Sequence, residues 1–547
     1  MVMPSSTWKL RPGPIVAWER PLGTTETAFY LDAIFCRTAD TLQQAEVQLQ
    51  PLSTSQDLLC PSNVAKAWSY IKRQYPLIAA AYDAHSDDSI YFVVTEESLR
   101  TIRPREIIFQ KVSSAQDVER IAERIVVQDQ LLSDKLLACL FILERTDLPG
   151  VFHIFFHVAH SIVDGMANLT LLKTFLDSLC RETHPEVNLE HRLQLSVSSE
   201  SLAPHLKYNV ARRRWRKAIA SVMAARRASN LKGGHTLPRK VSQITPYTPP
   251  LSKTLRTTLT PDKSNLIIDN CRKNGLTFGN AYPVLGQIAL TRVLVRRYLR
   301  GEIDEEEWQF RIREPMTSAG PLNLRPFLDK DWYEAGGSSN VCVSIGFFYF
   351  ALPTMPLGTT RLRPGMNMPH FGDLLSKKRF LFRCKQVREQ SIEITKHPLF
   401  LEFQEVGAPA RIQRNKIAAR QWLGGGPPKT LSNKPMSPME QATAGLVFCN
   451  GGSSMGNTDK LLPRTYPLSP QDGKEEPLIS LKSSTTRLRC RPTELYLGAS
   501  TSHDHLTLTV YWDNNVYEED IVTEWLNEVK LAAEFYLGSD QTIHSKL

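Results

Sequence analysis

Between Val151 and Val158 the sequence alternates, with Phe152, Ile154, Phe156 and Val158 on one face and His153 and His157 on the other, which is the period of a strand. After a short polar stretch, Met166, Leu169, Leu172, Leu176 and Leu179 recur at three- and four-residue steps, so a helix is expected there. Residues 151–180 therefore read strand, loop, helix, and the chain belongs among α/β proteins. The loop itself, His157-Val158-Ala159-His160-Ser161-Ile162-Val163-Asp164-Gly165, sets His160 and Asp164 four positions apart at the junction. A histidine in such a place can protrude into a cleft.

Other segments repeat these two periods. Val64, Trp68, Ile71 and Tyr75 mark one helix face that stops before Pro76. A second helix carries Val284, Leu285, Ile288 and Leu294, followed by an acidic turn at Asp304 to Glu307. Near the end, Leu506, Leu508, Val510 and Trp512 alternate as a strand, and Ile521, Trp525, Val529 and Ala532 share a helix face. A chain of 547 residues needs two or more cores. The stretch from Arg181 to Pro250 is rich in charge, Ser and Pro, so the division is expected there: residues 1–200 as an N-terminal lobe carrying the His160 loop, 201–258 as a crossover with a basic helix, and 259–547 as a C-terminal lobe.

Composition narrows the function. The formal charge is +10, but 66 basic residues stand against 56 acidic ones, and the densest basic run, Arg212 to Lys217, has no aromatic ladder for stacking bases. Nucleic acid is not expected as a partner. That run reads as a solvated helix, or as an attractor for an anionic substrate such as coenzyme A. Nine cysteines form no CxxC pair, no metal-ligand spacing links them to histidines, and Gly424-Gly425-Gly426 is followed by no GK[ST], so neither a metal nor a phosphate cradle is expected. The first residues lack an apolar signal core, and the longest apolar stretch, around Val341 to Leu352, is shorter than the roughly 20 residues of a spanning helix. The chain reads as neither secreted by that route nor membrane-spanning.

Imidazole suits transfer of an acyl group to an alcohol, because its ordinary pKa of about 6.5 lets it take the hydroxyl proton and return it to the leaving group. HxxxDG alone is a weak pattern. It is joined here by Trp18-Glu19-Arg20-Pro21, by the helix ending at Tyr75-Pro76, by Pro321-Leu322-Asn323-Leu324-Arg325-Pro326, and by Ser453-Ser454-Met455-Gly456 before a closing strand and helix. In residue type, order and spacing, nearly the whole chain resembles the superfamily of chloramphenicol acetyltransferase, plant BAHD acyltransferases and peptide-synthetase condensation domains.

The resemblance implies two similar lobes, each a mixed sheet with flanking helices, and an active-site tunnel between them. It implies His160 as general base, Asp164 as a structural support paired with Arg325, and acyl-CoA as co-substrate with no bound cofactor. Gly165 would give room for the turn into the helix. Ser453 or Ser454 is the candidate oxyanion donor, with a turn before a strand as the plain alternative. Cys449 has no base placed near it and is not read as a nucleophile. Two departures separate the chain from known subgroups. Position 159 is alanine where condensation domains carry a first histidine, and the plant DFGWG segment has no clear copy, Ser344-Ile345-Gly346-Phe347-Phe348 being nearest. Fungal stand-alone transferases fit better.

The final Ser545-Lys546-Leu547 matches the tripeptide read by the peroxisomal import receptor, so a peroxisomal location is expected, with the cytoplasm as the alternative. Together these imply an acyl-CoA-dependent O-acyltransferase that places a short or medium acyl chain on a hydroxyl of a glycolipid, of the mannosylerythritol-lipid type, or of another secondary metabolite. Two other readings remain open: a stand-alone condensation enzyme using a carrier-bound acyl group, and a non-catalytic binding protein of the same fold.

Overall fold

The computed structural model describes residues 7–50, 58–86, 88–229, 231, 233–355, 362–444, 447–468 and 477–539. Its first large sheet has Val151–Val158 near the centre, flanked by Thr41–Leu49 and Ala138–Arg145, both antiparallel to it. Ile107–Val112 runs parallel to Ala138–Arg145 at one edge, and Ile479–Leu488 and Thr465–Tyr466 complete the other. Val151–Val158 is buried on both faces, because the helices Pro61–Gln74 and Gly165–Leu179 cover it on the side where Trp68, Phe156 and Phe175 interlock. A four-stranded sheet formed from Lys9–Leu10, Ala17–Pro21, Ser89–Thr95 and Ala81–Ser86 sits beside this lobe.

The second large sheet has the order Ile345–Leu352, Met316–Asn323, Asn450–Asn457, Leu495–Ser502, His505–Asp513, Ser252–Thr258. Met316–Asn323, Asn450–Asn457 and Leu495–Ser502 are parallel and the outer pairings antiparallel, so both large sheets are mixed. Leu506, Leu508, Val510 and Trp512 point into its core against the helices Pro261–Lys273 and Glu519–Leu537. The two lobes hold separate hydrophobic cores, built around Trp68 and around Trp512 and Trp525.

The lobe boundaries differ from the sequence division at two places. Ser252–Thr258 pairs with His505–Asp513 and so already belongs to the second lobe. Its Lys, Arg and Thr side chains lie at a sheet edge, where a polar strand is tolerated, and that composition resembles a linker. Ile479–Leu488, far inside the C-terminal portion, crosses back to pair with Thr41–Leu49. The basic run forms the helix Val210–Ser229, packed on Phe400–Leu423. Asp304 caps the helix Glu305–Arg311, so the acidic turn is a helix start whose carboxylates complement the N-terminal dipole.

Candidate active site

Asp164 ends the loop after Val158 and caps the helix Gly165–Leu179, its Oδ1 accepting the Ala167 N–H at 2.9 Å. Its Oδ2 faces the other lobe, accepting from Arg325 Nη1 and from the Ser344 N–H, each at 2.8 Å. Arg325 spends its second nitrogen, Nη2, on the Cys342 carbonyl at 2.7 Å, and both ion-pair members are buried. Asp164 and Arg325 are thus brought together, and the carboxylate is turned away from the imidazole. Fully hydrogen-bonded, this pair fixes the loop against the second lobe.

His160 is half-buried. Its Nδ1 lies 2.7 Å from the Val163 carbonyl. A carbonyl only accepts, so Nδ1 carries the proton and Nε2 keeps its lone pair. The ring stacks on Phe29 at 4.0 Å between centroids and 13° between planes. Burial, and then the Arg491 guanidinium, push the His160 pKa down to about 4, so the imidazole is neutral near pH 7. Arg491 is held by Asp32, whose Oδ2 accepts from its Nε at 3.0 Å and its Nη2 at 2.8 Å.

Ser453 and Ser454 lie within the strand Asn450–Asn457, not in a turn before one. Alternation sends them to opposite faces. Ser454 packs toward Gly279 at the start of the helix Phe278–Leu299. Met455, at a bulge in the strand, lies against Gly165 at the head of the helix Gly165–Leu179. The Tyr496 hydroxyl donates to Ser453 Oγ at 2.7 Å, leaving the serine hydrogen free to donate. Gly165 has no left-handed backbone, and a Cβ there would meet Met455 at an ordinary 3.6 Å. Its contribution is open space beside the helix N-terminus, not a strained turn. Ser545, Lys546 and Leu547 lie outside the described residues.

Several neighbours of His160 carried no local signal in the sequence. Phe29 and Asp32 come from the helix Thr24–Ile34, Arg411 from Phe400–Leu423, and Arg491 from the turn after Ile479–Leu488. Another is Asp40, buried, whose pKa rises to about 7 through desolvation and neither of whose carboxylate oxygens has a hydrogen-bond partner among the described residues. Cys449 is buried with its pKa raised to about 12, unlike a thiolate nucleophile. Among the described residues no cluster of His, Cys, Asp and Glu is arranged for a metal, and no helix is long and apolar enough to cross a membrane.

Known structures share this architecture over the full chain. TRI3 trichothecene 15-O-acetyltransferase from Fusarium sporotrichioides superposes with a TM-score of 0.70 at 15% identity, covering 97% of this chain and 98% of that one. The first condensation domain of the calcium-dependent antibiotic synthetase gives 0.58 at 11% identity, covering 94% and 95%. The starter condensation domain of rhizomide synthetase RzmA, in complex with C8-CoA and Leu-SNAC, gives 0.54 at 12% identity, covering 95% and 94%. The fold is the two-lobed mixed α/β fold of these transferase and condensation structures. No family profile and no curated protein matches the sequence. On this fold the chain presents a neutral imidazole with a free Nε2 on a loop clamped by Asp164 and Arg325, which is an arrangement able to take a proton from an alcohol.

Proposed function

We propose that this chain is an acyl-CoA-dependent O-acyltransferase that moves a short or medium acyl group onto a hydroxyl of a glycolipid or other secondary metabolite, the mannosylerythritol-lipid type being the leading case. The observation that carries the reading is the His160 ring, with Nδ1 committed to the Val163 carbonyl and Nε2 free. In the proposed step His160 Nε2 takes the proton of the acceptor hydroxyl as its oxygen attacks the thioester carbonyl. The carbonyl oxygen gains charge, and the Ser453 hydroxyl is the group proposed to donate to it. Collapse of the tetrahedral intermediate breaks the carbon–sulfur bond, and the imidazolium returns its proton to the CoA thiolate. Asp164 and Arg325 support this from outside, by holding the loop.

The acetyltransferase neighbour favours an alcohol acceptor, and the neighbour in complex with C8-CoA favours a CoA thioester donor. Ser545-Lys546-Leu547 supports a peroxisomal destination, where chain-shortened acyl-CoA would be at hand. The condensation-domain neighbours favour a second reading, in which the acyl group arrives on a pantetheinylated carrier protein. The experiment incubates purified protein with an acyl-CoA series and candidate polyols and measures free CoA and ester. His160→Ala should lower kcat/KM by about a thousandfold. Absence of His160-dependent CoA release across the series would sink the first reading, and turnover with a loaded carrier protein alone would establish the second.

A further inference from the structure

Arg411 projects from the helix Phe400–Leu423 into the space between the lobes, and its guanidinium lies 4.8 Å from the Phe29 ring centroid and 4.5 Å from that of Phe347. Phe29 in turn stacks on His160. Phe347 is 41% exposed. The four side chains therefore form a continuous line from the imidazole to solvent.

This cation has one long ion pair, to Asp32 at 3.9 Å, and no hydrogen-bonded counter-ion among the described residues. Among the described residues Arg411 donates no hydrogen bond, and its Nη2 is shut from solvent without a partner. Its nearest carboxylate oxygen, Asp32 Oδ2, is 3.9 Å away, too far for a hydrogen bond, and that oxygen already accepts twice from Arg491. Arg491 and Arg414 also face it, so two further cations crowd the region. On the acidic side stand Asp32 and Glu200, and burial raises the Glu200 pKa, which weakens it as a counter-ion. Desolvation and Arg491 lower the Arg411 pKa to about 10, which leaves it charged near neutrality. A desolvated guanidinium costs free energy when unpaired, and an anion that enters would remove the cost. Both the Phe29 and Phe347 rings lie within cation–π distance of the guanidinium, and a planar donor fork matches a carboxylate.

We propose that Arg411, with Arg491 behind it, forms an anion subsite beside the stacked Phe29 and His160 rings, and that the enzyme's substrate carries a carboxylate bound there. This rests on the acyltransferase reading above and narrows its substrate class. The carboxylate can belong to the acceptor alcohol or to the far end of the acyl chain of the donor. In both cases the subsite sets the distance between a negative group and the atom that reacts, so it selects substrates by charge as well as by length.

The experiment uses the full-length protein and matched pairs. One arm compares ω-hydroxyalkanoates with 1-alkanols of equal length as acceptors, and the other compares adipoyl-CoA with hexanoyl-CoA as donors. The expected result is a preference for the carboxylate-bearing partner in one arm, about 100-fold in kcat/KM, that collapses in Arg411→Met. Arg411→Lys, which keeps charge without the planar fork, should retain part of it and serves if the methionine variant fails to fold. Calorimetric binding of the ω-hydroxyalkanoates is measured alongside, since it needs no turnover. Binding that is lost in Arg411→Met supports the subsite even if acyl transfer is never seen, whereas transfer with no carboxylate preference in either arm overturns the subsite and leaves the acyltransferase reading intact. No binding and no transfer overturns both.

Discussion

Two ionisable side chains beside the His160 loop, Arg491 and Asp40, have separable effects, and each can be changed singly. Arg491 lies close enough to disfavour the imidazolium of His160, so its presence helps keep the base neutral. Arg491→Gln removes that cation and leaves the Asp32 carboxylate less compensated, and both changes stabilise the protonated ring. The acidic limb of the kcat/KM profile, expected near pH 4 in the unmodified protein, should therefore move to higher pH in this variant; an unmoved limb would show that the limb belongs to another group. Asp40 acts through stability. Its folded pKa of about 7 exceeds the ordinary 3.8, so the folded state holds a proton that the unfolded state releases between these values. Stability from this group is present below about pH 4, declines as pH rises to 7, and is fully lost above. Asp40→Asn, which removes the titrating carboxyl at nearly constant shape, should be more stable than the unmodified protein at pH 8 by about 2–4 kcal/mol and gain nothing at pH 4. Thermal melts at the two pH values check it.

At the scale of elements, the His160 loop is held by a clamp between a helix cap of one lobe and a strand end of the other. Asp164 joins the Ala167 and Ser344 amides and Arg325 in one carboxylate. Arg325→Ala leaves that carboxylate buried with its cation gone and should cost about 3–5 kcal/mol. Asp164→Asn should cost less, because the amide oxygen can still cap Ala167. In a denaturant series the double variant should be far less damaged than the sum of the two singles, and strict additivity would mean that the pair is not coupled. The elements that build this clamp were largely readable in advance. Gly165–Leu179 buries side chains at a period near 3.6, and Val151–Val158, though buried on both faces, still alternates apolar residues with His153 and His157, so both periods stand out in the sequence. The Asp164–Arg325 pairing was available only through the family resemblance, since residues 161 positions apart have no local pattern. Ile479–Leu488 was missed because Ser483, Ser484, Thr485 and Thr486 fill its middle, and a strand whose pairing lies in a remote lobe needs little apolar alternation to form. Phe29, Arg411 and Arg491 were missed for a related reason: they meet only because three elements far apart in the chain converge.

At the scale of the whole molecule, the chain order and the lobes do not coincide. A cut near Pro250 appears natural from composition, and the helix Val210–Ser229 does connect the halves. Yet the first sheet takes its Ile479–Leu488 strand from the C-terminal half, with register partners running from Leu49 and Ile479 to Thr41 and Leu488. Without that strand, Thr41–Leu49 becomes an unpaired edge with its backbone donors and acceptors exposed, a template for association with other chains. The same cut removes Arg325 from Asp164, so the buried carboxylate at the head of the Gly165–Leu179 helix loses its cation. Residues 1–250 expressed alone should therefore be insoluble or aggregate, and residues 251–547 should carry an unpaired strand of their own. Co-expressed, the two pieces should recover each other as a one-to-one complex on size-exclusion chromatography, because every pairing lost by the cut lies between them. A monomeric 1–250 fragment that melts cooperatively would refute this account, since it would mean that the first core closes without the strand it borrows.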